Sequence, residues 1–145
     1  MTRGHATISL LRFLPTMKLP YLSEEEWISV LTLASHWRFL RVRAMAENAL
    51  ERMGSLTSLE KIRLGRGLFI SSWVIEGFVE LVQAITIADF EALLIDSGAE
   101  TTAYKLFRIR ELRIGGKLRS AKTKVEEIFK EELDRLRTTE ETFNE

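Results

Sequence analysis

Apolar residues recur every three or four positions through most of the chain after Pro20, which is the spacing that places side chains on one face of an α-helix. The pattern is strongest between Ser23 and Gly54, where two such stretches meet near Trp37. The apolar positions of the two stretches are Trp27, Val30, Leu31, Ala34 and Trp37, then Phe39, Val42, Ala46, Ala49, Leu50 and Met53. Because no proline follows Pro20, the sequence predicts an all-α fold.

Polar residues mark where several of the predicted helices begin and end. Ser23 with Glu26, and Thr57 with Glu60, have the spacing of a capping box, in which a hydroxyl and a carboxylate bind the free N–H groups of a first helical turn. Gly54 suits the left-handed residue that ends a helix. These signals predict helices beginning after Ser23 and Thr57 and a helix end at Gly54.

Three more helical segments are predicted before the last part of the chain. One begins near Ser71, a short one spans residues 86–98, and a third spans residues 99–114. In the third segment the spacing places four residues on one side, namely Ala103, Leu106, Phe107 and Arg110. A further short helix is predicted near the start of the chain, over residues 8–14, because Pro15 disfavours its continuation.

Gly115 and Gly116 separate these segments from a longer charged helix predicted over residues 117–137. Opposite charges four residues apart, as in Glu131 and Arg135, favour that helix. We therefore predict a compact array of about six helices, divided into a helical domain at 1–114 and a charged amphipathic helical extension at 115–145. Whether the last helix folds back onto the others is left open by the sequence.

Composition excludes several classes of function. Lysine plus arginine equals aspartate plus glutamate at 21 each, so no overall charge attracts nucleic acid or a membrane surface. The chain has no cysteine, which excludes disulfides, thiolate metal sites and cysteine nucleophiles. With His5 and His36 as the two histidines and no carboxylate cluster beside them, no metal site is predicted.

Two segments are relevant to membrane insertion and targeting. The apolar run over residues 68–85 contains Glu76 and Glu80 in its middle, and each would be costly in lipid, so a buried helix is predicted and no membrane span. Residues 1–20 contain basic side chains and no acid, and their apolar run is too short for a secretory signal. The expected location is the cytoplasm or nucleus, with a mitochondrial transit peptide as the alternative.

No residue pattern predicts catalysis or cofactor binding. Gly65-Arg66-Gly67 and Gly115-Gly116-Lys117 lack the spacing and the preceding strand of a phosphate-binding loop. His36 has no nucleophile or carboxylate at a catalytic spacing, so a partly buried structural histidine is predicted. The adjacent glutamates at 126–127 and 131–132 are predicted to lie on a solvated helix face. We therefore predict no catalytic, cofactor-binding or metal-ligating residue, no cofactor and no enzymatic activity.

Tryptophans and a basic segment are the remaining features that bear on binding. Trp27, Trp37 and Trp73 fall on apolar faces, which favours core positions over interface anchors. Eight basic residues stand against one acid in the segment 105–124, and acids dominate after it. Such a segment is typical of phosphate-backbone binding. The alternatives are a self-complementary polar helix and a helix that pairs antiparallel with a copy of itself.

Several short motifs resemble those of a known family in their order and spacing. They are Leu11-Arg12-Phe13-Leu14-Pro15, Glu25-Glu26-Trp27, Trp37-x-Phe39-x-x-Val42-Arg43-x-x-Ala46, Thr57-x-Leu59-Glu60-Lys61-Ile62-x-Leu64-Gly65-Arg66, Ile70-Ser71-x-Trp73, Phe78-Val79-Glu80-Leu81 and Leu106-Phe107-x-Ile109-Arg110-Glu111. In this order they resemble the C-terminal, helical half of fungal BTB/POZ domain proteins. The resemblance covers residues 8–112 and not the last helix.

The resemblance implies a protein–protein interaction module that lacks the β-rich half of a BTB domain. Residues 1–114 would then be a helical domain like the C-terminal part of that family. Family members dimerise, and some recruit cullin ubiquitin ligases, although those surfaces belong mainly to the β-rich half. The expected function is therefore non-catalytic binding of protein partners, including self-association, and the alternative is nucleic-acid association through 105–124.

Overall fold

A computed structural model of the chain describes residues 21–84, 91 and 99–144. Within these residues every regular element is a helix, which confirms the all-α prediction. The α-helices with described bounds are α1 (Glu24–His36), α2 (Leu40–Met53), α3 (Ser58–Leu68), α4 (Ser71–Ala84), α5 (Ala99–Ile114), α6 (Ala121–Ile128) and α7 (Lys130–Glu141), and a short 3₁₀ helix (Thr142–Asn144) follows. The helices predicted over residues 8–14 and 86–98 lie outside the described residues.

The contacts divide the chain into two units. The first contains the described residues up to Leu56 together with the end of the chain from Phe143, and the second spans Thr57–Thr142. The boundary between 114 and 115 that the sequence suggested stays a prediction.

Helices α1 and α2 pack against each other in the first unit. The capping box is present as predicted: Ser23 Oγ accepts a hydrogen bond from the Glu26 N–H (3.2 Å), and Glu26 Oε1 accepts one from the Ser23 N–H (3.1 Å). Gly54 ends α2 with φ +62°, which confirms the predicted left-handed stop. The buried apolar residues of the two helices are Trp27, Val30, Leu31, Ala34, Val42, Ala46, Ala49 and Leu50.

The junction between α1 and α2 differs from the prediction at two residues. Helix α1 ends at His36, so Trp37 is no longer held at helical spacing from Ala34, and it is 38% exposed. Its ring instead meets the Phe39 ring edge-on, with 6.0 Å between centroids. His36 is exposed, so the prediction of a partly buried histidine is wrong. Trp27 and Trp73 are buried, and for these two the core prediction is confirmed.

Helix α4 is the centre of the second unit, because it contacts α3, α5, α6 and α7. Its side chains Trp73, Val74, Phe78 and Val82 have almost no exposed surface. The capping box that begins α3 is present as predicted, with Thr57 Oγ1 accepting from the Glu60 N–H at 3.2 Å. No helix in the described ranges is long and apolar enough to cross a membrane.

The last part of the chain folds back onto α4. Its helix begins at Ala121 and not at residue 117, because Gly116 adopts φ +71° and Ser120 Oγ accepts the Thr123 N–H as a cap. The helical run is interrupted at Phe129, which separates α6 from α7. The Phe129 ring stacks on the Phe78 ring with 4.0 Å between centroids. The C-terminal helices therefore supply core residues to the second unit.

Candidate interaction surface

Helix α5 has an inner apolar face and an outer one. The inner face consists of Thr102, Ala103, Leu106 and Ile109, all buried against the rest of the second unit. On the outer face Tyr104, Phe107 and Ile114 are 67%, 51% and 68% exposed. We refer to Tyr104, Phe107, Glu111 and Ile114 as the outer row.

The outer row results from two apolar patterns on one helix. Leu106 and Phe107 are adjacent, so they project about 100° apart, and when Leu106 enters the core Phe107 turns toward solvent. The core covers only part of the predicted side of Ala103, Leu106, Phe107 and Arg110: Ala103 and Leu106 are buried, whereas Phe107 is half exposed. The steps of three, four and three residues from Tyr104 to Ile114 are the signal that would have revealed a second helical row.

The basic residues of segment 105–124 do not share one surface. Lys105 Nζ lies 5.3 Å from the centroid of the Phe129 ring, and Arg113 Nη1 donates to the Gln83 carbonyl at 3.3 Å. Lys124 pairs with Glu127 at 3.4 Å. Four others are exposed and make no ion pair with a described residue, namely Arg108, Lys117, Arg119 and Lys122. Local packing thus engages part of the charge that the sequence suggested for nucleic acid.

A groove of about 460 Å³ lies beside α4 in the second unit. Its lining residues are Ser71, Ser72, Ile75, Glu76, Val79, Glu80, Lys122, Glu126 and Arg137. The carboxylates of the groove already have cationic neighbours: Lys61 contacts both Glu76 and Glu80, and Arg137 lies 4.0 Å from Glu126. The groove thus presents internally paired charges over an apolar floor.

Lys61 and Glu80 form the closest ion pair beside the groove. Partial burial by itself would lower the pKa of Lys61, but the hydrogen bond to Glu80 and the nearby carboxylate charges outweigh it and raise the pKa above its ordinary value. Partial burial would raise the pKa of Glu80, and hydrogen bonds from Lys61 and Ser58 outweigh it, so that pKa is lowered. Both shifts show that the charged forms are favoured in the folded state.

We expect Lys61→Met to destabilise the fold in a pH-dependent way. The Glu80 contribution is fully present above its ordinary pKa of 4.5 and is lost as the pH falls through the lowered value, while the Lys61 contribution is lost only as the pH rises through a value above 10.5. Because solvent screens this part-exposed pair, the loss at neutral pH is about 0.5–1 kcal/mol. Urea unfolding at pH 7 and at an acidic pH below the lowered pKa of Glu80 measures it.

Lys117→Met is the matched control for this pH dependence, because Lys117 is exposed and forms no ion pair with any residue of the described part. The difference between the Lys61 variant and the unchanged protein should largely disappear at the acidic pH. An equal difference at both pH values would show that the lysine acts through packing of its stem and not through its charge.

Arg66 joins three helices of the second unit. Its guanidinium donates to both carboxylate oxygens of Glu132 at 2.8 Å and to Thr102 Oγ1 at 3.0 Å. The guanidinium also lies 5.3 Å from the centroid of the Phe78 ring. The prediction that Glu132 lies on a solvated face is wrong, because this carboxylate crosses to α3. Gly65-Arg66-Gly67 is part of helix α3, so it is not a phosphate-binding loop.

The glutamate at position 140 makes a similar contact at the start of α4. Its carboxylate accepts hydrogen bonds from the Ser71 N–H (3.3 Å) and from Ser71 Oγ (2.7 Å). A carboxylate at this point satisfies a free N–H group and suits the positive end of the helix dipole. Helix α7 is thus attached to the second unit by polar contacts at both Glu132 and Glu140.

Comparison of the chain with protein-family models, curated proteins and solved structures found no match. The resemblance to BTB/POZ proteins therefore stays an expectation from the sequence motifs. Among the described residues no group of three or more histidine, aspartate and glutamate side chains is placed to hold a metal ion. The predicted lack of catalysis stays a prediction.

Proposed function

We propose that the chain is a non-catalytic protein-interaction module that binds a partner protein through the outer row of α5. The observation that carries the proposal is the exposure of Tyr104, Phe107 and Ile114 on a helix whose opposite face is buried. Covering a large apolar side chain contributes about 1.5–3 kcal/mol. Three of them on one rigid helix supply a concentrated source of binding free energy.

The charges around the outer row indicate the chemistry of the partner surface. Arg108 flanks the apolar residues, and Glu111 lies among them. Tyrosine and arginine are enriched among residues that dominate protein–protein binding. The partner surface would therefore be apolar at its centre and would place opposite charges against Arg108 and Glu111. The motif resemblance to an interaction family supports the same class of function.

The test places a photo-crosslinking phenylalanine analogue at position 107 of the full chain and, as a control, at the exposed position of Arg135 on α7. Support requires a discrete crosslinked protein at position 107 alone, and loss of that protein's binding in a Phe107→Glu variant whose circular dichroism is unchanged. Equal crosslinking at both positions, or binding that survives Phe107→Glu, would overturn the proposal.

The exposed cations of segment 105–124 motivate the second candidate function, nucleic-acid association. Arg108, Lys117, Arg119 and Lys122 are available to phosphates. The chain would then bind duplex DNA at low salt, and its affinity would fall steeply as salt rises. A Phe107→Ser variant separates the two functions, because it removes the aromatic ring from the outer row while the net charge and these four cations are unchanged.

A further inference from the structure

We propose that one partner of the outer row is a second copy of this chain, which binds through the same row of α5 in the antiparallel direction; the inference rests on the proposed function. The row has steps of three, four and three residues between Tyr104, Phe107, Glu111 and Ile114. This spacing reads the same in both directions. A row with that property meets itself in register across a two-fold axis, as an isologous interface requires.

The antiparallel register sets each residue of the outer row opposite another residue of the row. When Tyr104 of one copy faces Ile114 of the other, Phe107 faces Glu111, and the same pairs recur beyond the axis. Side chains at steps of three and four residues form the narrow seam through which two helices pack along their length. The aromatic rings of Tyr104 and Phe107 would then be covered from the side on which they are now exposed.

The charges favour the antiparallel over the parallel direction. Neither the Arg108 guanidinium nor the Glu111 carboxylate makes an ion pair with another residue of the described ranges. In the antiparallel register, Phe107 of one copy lies opposite Glu111 of the other. Arg108 is the next residue after Phe107, so its guanidinium can pair with that carboxylate. A parallel register would set Glu111 against Glu111, and covering two like charges is unfavourable.

The size of the contact determines the expected strength. One exposed face of a single helix gives an interface below the standard size of about 1,200–2,000 Å². We therefore expect a reversible dimer with a dissociation constant of about 10–100 μM. At lower concentration the row remains available to another protein, so self-pairing and partner binding would compete.

Cysteine crosslinking tests the direction of pairing, and the absence of native cysteine gives a clean background. One chain carries Tyr104→Cys and the other, labelled with ¹⁵N, carries Ile114→Cys. A short bismaleimide is added with the chain at about 200 μM, above the expected dissociation constant. The mixture of the two variants should then give far more crosslinked dimer than either variant alone. Equal crosslinking of the separate variants, or none in the mixture, would overturn the antiparallel assignment.

Charge exchange provides the second readout, measured by sedimentation over a concentration series. Arg108→Glu and Glu111→Arg should each weaken the dimer by at least about tenfold, and combining both should restore most of the affinity. Arg119→Glu, an exposed arginine beyond α5, should leave the affinity unchanged. A double variant as weak as the single variants would contradict the proposed charge pairing.

These outcomes are separable from failure of the proposed function. The chain could stay monomeric at 200 μM, which is about twenty times the lower expected dissociation constant, and still bind a crosslinked partner that Phe107→Glu removes. That result overturns self-pairing and leaves the interaction module intact. A mixed dimer that Phe107→Glu abolishes supports both. If the chain shows no self-pairing and no position-specific crosslink, both proposals are overturned.

Discussion

Replacing Phe129 by alanine is expected to lower the free energy of unfolding by about 3–5 kcal/mol. Phe129 is 1% exposed, and its ring stacks on that of Phe78 at the centre of the second unit. Truncation would remove the stacked ring and leave a cavity that the neighbouring helices cannot fill. Because Phe129 belongs to the C-terminal part of the chain, the variant also measures how strongly α6 and α7 stabilise the unit.

Phe107→Ala is the matched control for Phe129→Ala. Phe107 is half exposed on the outer face of α5, so its truncation should change the free energy of unfolding by no more than about 0.5 kcal/mol. Urea unfolding of both variants, followed by circular dichroism, gives the comparison. Similar effects at both positions would contradict the assignment of one ring to the core and the other to the surface.

Gly77→Ala is expected to lower the free energy of unfolding by about 1–3 kcal/mol, although alanine has the higher helix propensity. A Cβ at Gly77 would lie 2.6 Å from Ile62 Cγ1 and 2.7 Å from the Ser58 carbonyl oxygen. The backbone oxygen cannot turn aside as a side chain can, so α3 and α4 would have to separate. The closeness of these two helices thus depends on the absence of a side chain at this position.

Gly67→Ala provides the opposite result on the neighbouring helix. A Cβ there meets nothing within 4 Å, so the variant should gain about 0.5–1 kcal/mol from helix propensity alone. The two variants make the same chemical change, and thermal unfolding followed by circular dichroism compares them directly. A stabilised Gly77 variant would show that α3 and α4 pack less closely than described.

Local signals in the sequence predicted the helix boundaries well where a single residue determines the backbone. The capping boxes at Ser23 and Thr57 and the left-handed Gly54 depend on chemistry within one turn of the chain, so the sequence alone identifies them. The predicted start of the last helix at residue 117 was wrong, because Gly116 ends the preceding segment and the Ser120 cap places the first helical residue at Ala121. Those two residues act together, and periodicity does not detect such a combination.

Contacts between distant segments could not be predicted from periodicity. Glu132 has the spacing of a solvent-exposed residue, yet Arg66 on another helix binds both of its oxygens. Trp37 and Phe107 both stand at helical spacing from apolar residues, yet both are exposed. Trp37 is exposed because α1 ends before it, and Phe107 is exposed because its neighbour Leu106 occupies the core. The candidate surface could be identified only from the structure, which shows which apolar residues of α5 are buried and which are exposed.

Segment 105–124 does not present one continuous basic face. Its cations are intermixed with the exposed apolar residues, and Lys105 and Arg113 are engaged within the second unit. Arg108 is the cation of α5 that lies beside the row without a partner among described side chains. The arrangement favours a contact that is apolar at its centre and charged at its edge, which is typical of protein partners.

Radical footprinting of the dilute chain, with mass-spectrometric readout of each side chain, tests the central claim most directly. Tyr104 and Phe107 should be labelled much faster than Phe78 and Phe129, because the first two rings face solvent and the others are buried. Rates for Tyr104 and Phe107 as low as those of the core phenylalanines would contradict the claim that α5 presents an uncovered apolar row for binding.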